Sequence, residues 1–248
     1  MLQRLSTYFL FTIGILLFNS CRKQNMCDCF KPRGETIIEN RTVNNFTTLQ
    51  VFDKIDVYFT QDSTAKNYSV KVVTGKHLMS SVTTEVSNGV LQIRNLNKCN
   101  FVRGSHNDVT VYVTSPPLKT FIQDGVGNLY STNTITGDSI IIYLRNSGDM
   151  HLHVNTNHFA GHMHGVGDLY VDGSAPDLYS YSVGQGFVHA QNLSTVTAYM
   201  YYSSNGEAHI NVTGELTAVL PNTGNVYYSG NPGLVKKSGT GSGKLIHD

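Results

Sequence analysis

The chain has 248 residues, 18 Lys and Arg against 17 Asp and Glu, and only 14% charged residues. That near-neutral balance excludes a dedicated nucleic-acid binder, which carries a basic excess, while the length suffices for one or two domains with a real core. Charge and glycine are unevenly placed: residues 22–118 hold 12 Lys/Arg and 8 Asp/Glu, residues 119–248 hold 5 and 9, and 18 of the 23 Gly follow residue 120.

Residues 1–20 carry one charge, Arg4, ahead of the apolar run Tyr8 to Phe18. The run is shorter than the roughly 20 residues of a bilayer span and has the form of a signal-peptide core. Asn19-Ser20-Cys21 closes it with a small residue and a cysteine. This resembles a bacterial lipoprotein signal, in which Cys21 is lipidated and becomes the new N-terminus; an ordinary secretory signal is the alternative. The expectation is an envelope protein, held in the outer membrane through its N-terminal lipid and facing either the periplasm or the outside. Residues 21–34 then form the lipidated cysteine and a polar tether, and 35–248 the folded domain.

Three cysteines remain: Cys27, Cys29 and Cys99. Outside the cytoplasm they are expected to be oxidised. Cys27-Asp28-Cys29 is too tight to bridge easily to itself, so one of the pair is expected to join Cys99. A zinc site is the alternative, but it lacks a second C-x-x-C and a suitably spaced His.

Alternating apolar residues predict strands at Leu49–Val51, Ile55–Phe59, Tyr68–Val72 and Val109–Val113, the last stopped by Pro116-Pro117. Asn88-Gly89 between apolar runs predicts a hairpin. Only His77 to Val82 suggests a helical turn.

Residues 119–248 repeat. Gly127-Asn128-Leu129-Tyr130 recurs as Gly148-Asp149-Met150-His151 and Gly167-Asp168-Leu169-Tyr170, and more loosely from Gly186, Gly206 and Gly224. The glycine spacings are 21, 19, 19, 20 and 18 residues, with a fading turn at Gly243. Such a period predicts an all-β solenoid of about six to seven rungs of about 19 residues, each burying its apolar face by stacking on the next. Two residues past each Gly an apolar column (Leu129, Met150, Leu169, Val188, Ala208, Val226) is predicted to point inward. A second one (Ile140, Phe159, Leu178, Ala198, Leu216) lies eight residues before each later Gly. The Gly itself is expected to supply either a positive-φ corner or a close backbone approach.

Several soft motifs in fixed order identify a resemblance: Phe46; Ile55-Asp56-Val57 to Phe59-Thr60-Gln61; Thr84-Glu85-Val86-x-x-Gly89-x-Leu91-x-Ile93; Asn97-Lys98-Cys99-Asn100; Val109-Thr110-Val111-Tyr112-Val113; Leu118; and Gly125-x-Gly127-Asn128. The chain resembles the GIN-domain family ("putative auto-transporter adhesin, head GIN domain") of bacterial, chiefly Bacteroidetes, envelope proteins, over essentially everything after Cys29. The resemblance implies a right-handed parallel β-helix, with a β-rich N-terminal part packed continuously onto it. It also implies an adhesin-like role with no catalytic residues to carry over and no cofactor. It pairs Cys29 with Cys99, leaving the extra Cys27 without an assigned role.

Candidate functional residues are rings, and with no Trp in the chain these are Tyr and His. The third position after each Gly reads Tyr130, His151, Tyr170, His189, His209 and Tyr227, a predicted outward ladder about 4.8 Å from ring to ring. A second column holds Tyr143, His162, Tyr181 and Tyr201, with Tyr179 and Tyr199 beside it. Rings with polar tips suit a glycan or a protein surface, but stacked like residues are also how solenoid faces stabilise themselves. His151/His153 and His162/His164 share strand faces, yet no Cys or carboxylate shell accompanies them, so no metal site is expected. A pectinase-like hydrolase or lyase would rest on Asp149 and Asp168 of adjacent rungs, but these occupy the turn column of Asn128 and Asn225, where short polar residues bond the backbone. The expected role is thus a non-catalytic envelope lipoprotein whose solenoid surface serves adhesion or glycan binding. A carbohydrate-active enzyme and a purely structural envelope module are the alternatives.

Overall fold

In the computed structural model, which describes residues 32–64, 68–98 and 109–248, all strands join one 18-stranded sheet coiled into a solenoid. Residues 1–31 and 99–108, and with them Cys21, Cys27, Cys29 and Cys99, lie outside the described residues.

The rungs follow the repeat. Strands β8 (Thr120–Gln123), β9 (Leu129–Ser131), β10 (Ile135–Leu144), β11 (Met150–Met163), β12 (Leu169–Ser174) and β13 (Asp177–Gly184) lead into the long β14 (Val188–Ser204) and β15 (Ala208–Val219). The last turns are β16 (Val226–Ser229), β17 (Leu234–Ser238) and β18 (Leu245–His247). Pairing is parallel and one period apart, so Leu129, Met150, Leu169, Val188, Ala208 and Val226 stand in register. Ile140, Phe159, Leu178, Ala198 and Leu216 do the same on another side. Both columns are buried, as the alternation predicts. Each fully buried Leu, Ile, Val or Phe contributes about 1.5–3 kcal/mol. Ile135, Val154, Leu193 and Val212 bury a third side where the long strands bend. The two-strand rung read from the repeat misses this side, because continuous strands carry the chain around that corner without a turn signal.

The glycine column answers the choice left open by the sequence. Gly127, Gly148, Gly167, Gly186, Gly206, Gly224 and Gly243 all have negative or extended φ, so none is there for a left-handed corner. A Cβ on Gly148 would instead overlap the carbonyl oxygen of Gly127, one on Gly167 that of Gly148, and one on Gly186 that of Gly167. Glycine is required by contact between backbones.

The N-terminal part supplies rungs as well. Strands β1 (Thr36–Thr42), β2 (Thr48–Val51), β3 (Asp56–Gln61), β4 (Ser69–Gly75), β5 (Val82–Ser87), β6 (Val90–Asn95) and β7 (Thr110–Ser115) include every predicted strand, and add β1. The predicted helical turn is a 3-10 turn at Met79–Ser81. Asn88 (φ 51°) and Gly89 (φ 74°) make the hairpin turn, both left-handed as a two-residue β-turn of this kind requires. Spatial order departs from chain order here. Strands β2 and β3 lie between β6 and β7 on one side and β8 and β9 on the other, all parallel. The end of the stack is closed by antiparallel strands, β4 on β7, β1 on β4, and β5 on β6. At the far end β17 is exposed along its length and carries Lys236 and Lys237, charges that discourage edge-to-edge pairing.

Replacing Gly148 by Ala is expected to destabilise the fold by roughly 3 kcal/mol, read as a loss of about 6–12 °C in Tm for a domain of this size. Gly137→Ala is the control: its nearest neighbour to a new Cβ is the Ser139 carbonyl oxygen at 4.0 Å, so Tm should hardly move.

Candidate functional site

The predicted ring ladder forms, and it is longer than the repeat. Centroid distances are 4.9 Å for Tyr130–His151, 4.4 Å for His151–Tyr170 and 4.4 Å for Tyr170–His189. They widen to 6.4 Å for His189–His209 and close again to 4.7 Å for His209–Tyr227. On the other side Tyr58 stacks on Tyr130 at 5.1 Å and Tyr112 on Tyr58 at 5.3 Å. Tyr58 and Tyr112 lie before the repeat and escaped the column. The signal was present, since Asp56-Val57-Tyr58 has the polar-apolar-ring order of Asn128-Leu129-Tyr130. The Lys71 ammonium sits 4.2 Å over Tyr112 and ends the ladder there. At the opposite end Tyr227 pairs with Ile246.

Stacking at these distances covers ring faces with neighbouring rings. What the ladder presents to solvent is a row of ring edges: phenol hydroxyls and imidazole nitrogens. A ligand would meet it through hydrogen bonds to edges more than by lying on a ring face. Burial among the rings lowers the pKa of His151 against the pull of Asp149 and Asp168, and so favours its neutral form. Burial also raises the Tyr170 phenol, with Asp168 and Asp149 adding to the effect.

The second column is less regular. Tyr143 stacks on His162 at 4.9 Å and Tyr181 on Tyr201 at 4.8 Å, but His162 and Tyr181 are 6.4 Å apart and tilted by 42°. Tyr179 and Tyr199 run alongside at 5.6 Å. The Arg145 guanidinium caps Tyr143 at 4.9 Å and lies 3.6 Å from Asp124. Burial lowers the His162 pKa, helped by His164 and Arg145.

The turn column is a ladder of side-chain oxygens. Asp56 Oδ1 accepts the Asn128 N–H (2.9 Å), Asn128 Oδ1 that of Asp149 (3.0 Å), Asp149 Oδ1 that of Asp168 (2.8 Å), and Asp168 Oδ1 that of Phe187 (2.8 Å). Asn225 repeats the bond to Lys244 at 2.9 Å. Asp149 and Asp168 thus hold rung to rung, each with one oxygen committed to the backbone. Among the described residues no group of three or more His, Cys, Asp or Glu is placed to hold a metal ion. His153 and His158 bond Asp172 and Asp177 of the next rung.

Comparison with known proteins agrees with this architecture. Residues 45–232 match the family model described as "Putative auto-transporter adhesin, head GIN domain". No curated protein matches the chain. A crystal structure of a "putative adhesin" from Bacteroides fragilis is similar with a TM-score of 0.79 and 22% identity, covering 88% of this chain and 99% of that one. A "putative lipid binding protein" from Parabacteroides distasonis has a TM-score of 0.61 at 18% identity, covering 86% and 97%. A "putative adhesin" from the same organism has 0.60 at 20%, covering 86% and 98%. At these identities the likeness to each structure is one of fold.

Two outcomes follow from the columns. Asp149→Ala should cost about 1 kcal/mol in urea unfolding, whereas Asp149→Asn, which keeps the oxygen that Asn128 uses, should cost little. His151 and His162 have folded pKa values below the ordinary 6.5, so the unfolded chain binds more protons as pH falls through that value. Their contribution is complete above pH 6.5 and lost below it. Tm should therefore drop between pH 8 and pH 5, and drop less in a His151→Tyr/His162→Tyr variant that keeps both rings.

Proposed function

The chain belongs to the GIN-domain family, and from that premise we propose that it is a non-catalytic envelope lipoprotein whose solenoid presents a contact surface for adhesion. The observation that carries the reading is the continuous ladder from Tyr112 to Tyr227, eight rings whose edges face outward in register. A rigid row of hydroxyls and ring nitrogens offers many weak polar contacts at fixed spacing, with little ordering cost on binding. Cell-surface glycans, which repeat at regular intervals, suit such a row. The bonds from Asp149 and Asp168 to the backbone support the non-catalytic part, because carboxylates engaged in holding rungs are poorly disposed to move protons.

Anchoring rests on the segment ending in Cys21, with the lipid reaching the membrane and residues 22–34 serving as a tether. A purely structural module is the second reading, favoured by ring faces that already cover one another.

Both parts are testable. Palmitate label should enter the protein in cells and disappear in Cys21→Ser, which should also leave the membrane fraction; persistent label refutes anchoring. A Tyr130→Ser/Tyr170→Ser/Tyr227→Ser variant that remains folded by circular dichroism should bind immobilised cell-surface glycans at least tenfold more weakly. Binding that ignores the ladder leaves the structural reading in possession.

A further inference from the structure

Among the described residues the solenoid breaks register only along β14, once against β12 and twice against β15, the second of these a one-residue surplus on β15 between Val212 and Glu215. Between β12 and β14 the pairs Tyr170↔His189 and Gly173↔Leu193 enclose three steps on β12 and four on β14. Between β14 and β15, Ala190↔Ile210 and Ser194↔Asn211 enclose four steps against one. The surplus is a β-bulge at Gln191 and Asn192, both exposed. Bulges bend a strand and re-aim its side chains, and they recur beside functional sites. This one walls a cleft of about 300 Å3 whose floor is the sheet at Leu152 and Val171. His153 and Asp172, on the two rungs before the bulge, also line it, bonded to each other and each about half exposed (52% and 53%). The edges of His151, Tyr170 and His189, the most tightly stacked stretch of the ladder, form its side.

We propose that this cleft is a carbohydrate subsite that takes a neutral, hydroxyl-rich sugar unit of a longer glycan. The chemistry of the walls selects the ligand class. An anionic sugar or phosphate needs an uncompensated cation, and among the described residues no Lys or Arg lines the cleft, while the His153 imidazole faces a carboxylate. A metal ion needs a convergent donor set, and among the described residues no such group exists. An added peptide strand needs a free sheet edge, whereas the floor strands β11 and β12 pair on both sides. Two amides, a carboxylate and an imidazole, set around a shallow floor, instead offer paired donors and acceptors to vicinal hydroxyls. The volume lies at the lower end of ligand pockets, about 300–1,000 Å3, and suits one or two sugar rings. The remaining units of the chain would run along the ladder edges.

This proposal rests on the reading of the domain as a binding surface, and the test separates the two. The full chain, purified in mild detergent, is applied to an array of neutral, sialylated and sulfated oligosaccharides. The same array is run with Gln191→Ala/Asn192→Ala, with Asp172→Ala, and with Tyr199→Ser/Tyr201→Ser on the distant second column. The expected result is binding to neutral glycans that falls at least tenfold in both cleft variants and is unchanged in the Tyr199/Tyr201 variant. Because Gln191, Asn192 and Asp172 are exposed, their replacement should leave Tm within a few degrees, so loss of binding cannot be read as unfolding. Neutral glycan binding that survives both cleft variants overturns the cleft; if it falls in the Tyr199/Tyr201 variant instead, the ladder as the contact surface is overturned with it. Binding confined to sialylated or sulfated glycans overturns the ligand class. No glycan bound, with the protein still adhering to cells stripped of glycans, overturns the subsite while preserving adhesion; no adhesion either overturns both.

Discussion

Everything in this molecule depends on how closely one rung's backbone approaches the next at the glycine column. At Gly148 and Gly167 the carbonyl oxygen of the preceding rung occupies the space where a Cβ would be. Adjacent parallel strands are spaced about 4.8 Å apart, and a corner keeps that spacing only if nothing projects from it. The repeat is therefore a steric rule before it is a pattern of hydrophobicity. Once the corners stack, each side chain is placed directly over its counterpart one rung away.

That placement turns composition into columns. Apolar residues fall on apolar residues and close the core, rings on rings, and short polar side chains on the N–H of the next turn. A column of like charges would repel at every step. This explains why residues 119–248 hold only 5 Lys/Arg and 9 Asp/Glu. Several of the charges that do occur are paired across rungs, as in Lys236–Glu215 at 2.9 Å and His158–Asp177, while Asp149 and Asp168, in adjacent rungs of the turn column, each accept a backbone N–H from the next rung. The widest step of the ladder, 6.4 Å between His189 and His209, lies just before the point where β14 and β15 lose register.

For function, the consequence is a surface with two textures. Most of the ladder has spent its ring faces on itself and offers only edges, which makes it rigid and regular. The bulge at Gln191 and Asn192 interrupts that regularity and creates the concavity beside it. A repetitive surface interrupted along one stretch of β14 suits a repetitive ligand held at one specific unit.

The sequence by itself determined the rungs. A residue recurring every 19 or so positions must be stacked if its apolar face is to be buried, so the glycine period, the two inward columns of Leu129 and Ile140, and the outward rings were all legible. The Asn88-Gly89 hairpin was legible too, because its dihedral demand is local. Only the tertiary structure decided the rest. The insertion of β2 and β3 between β6–β7 and β8–β9, the extension of the ladder to Tyr58 and Tyr112, and the closing strand β1 all depend on pairings between segments far apart in the chain, outside the period. Whether a ring shows its face or its edge depends on the side chain one rung away. The bulge in β14 is visible only as a mismatch between two strands. Periodicity specifies which residues stack, but register, capping and accessible surface are properties of neighbouring rungs taken together.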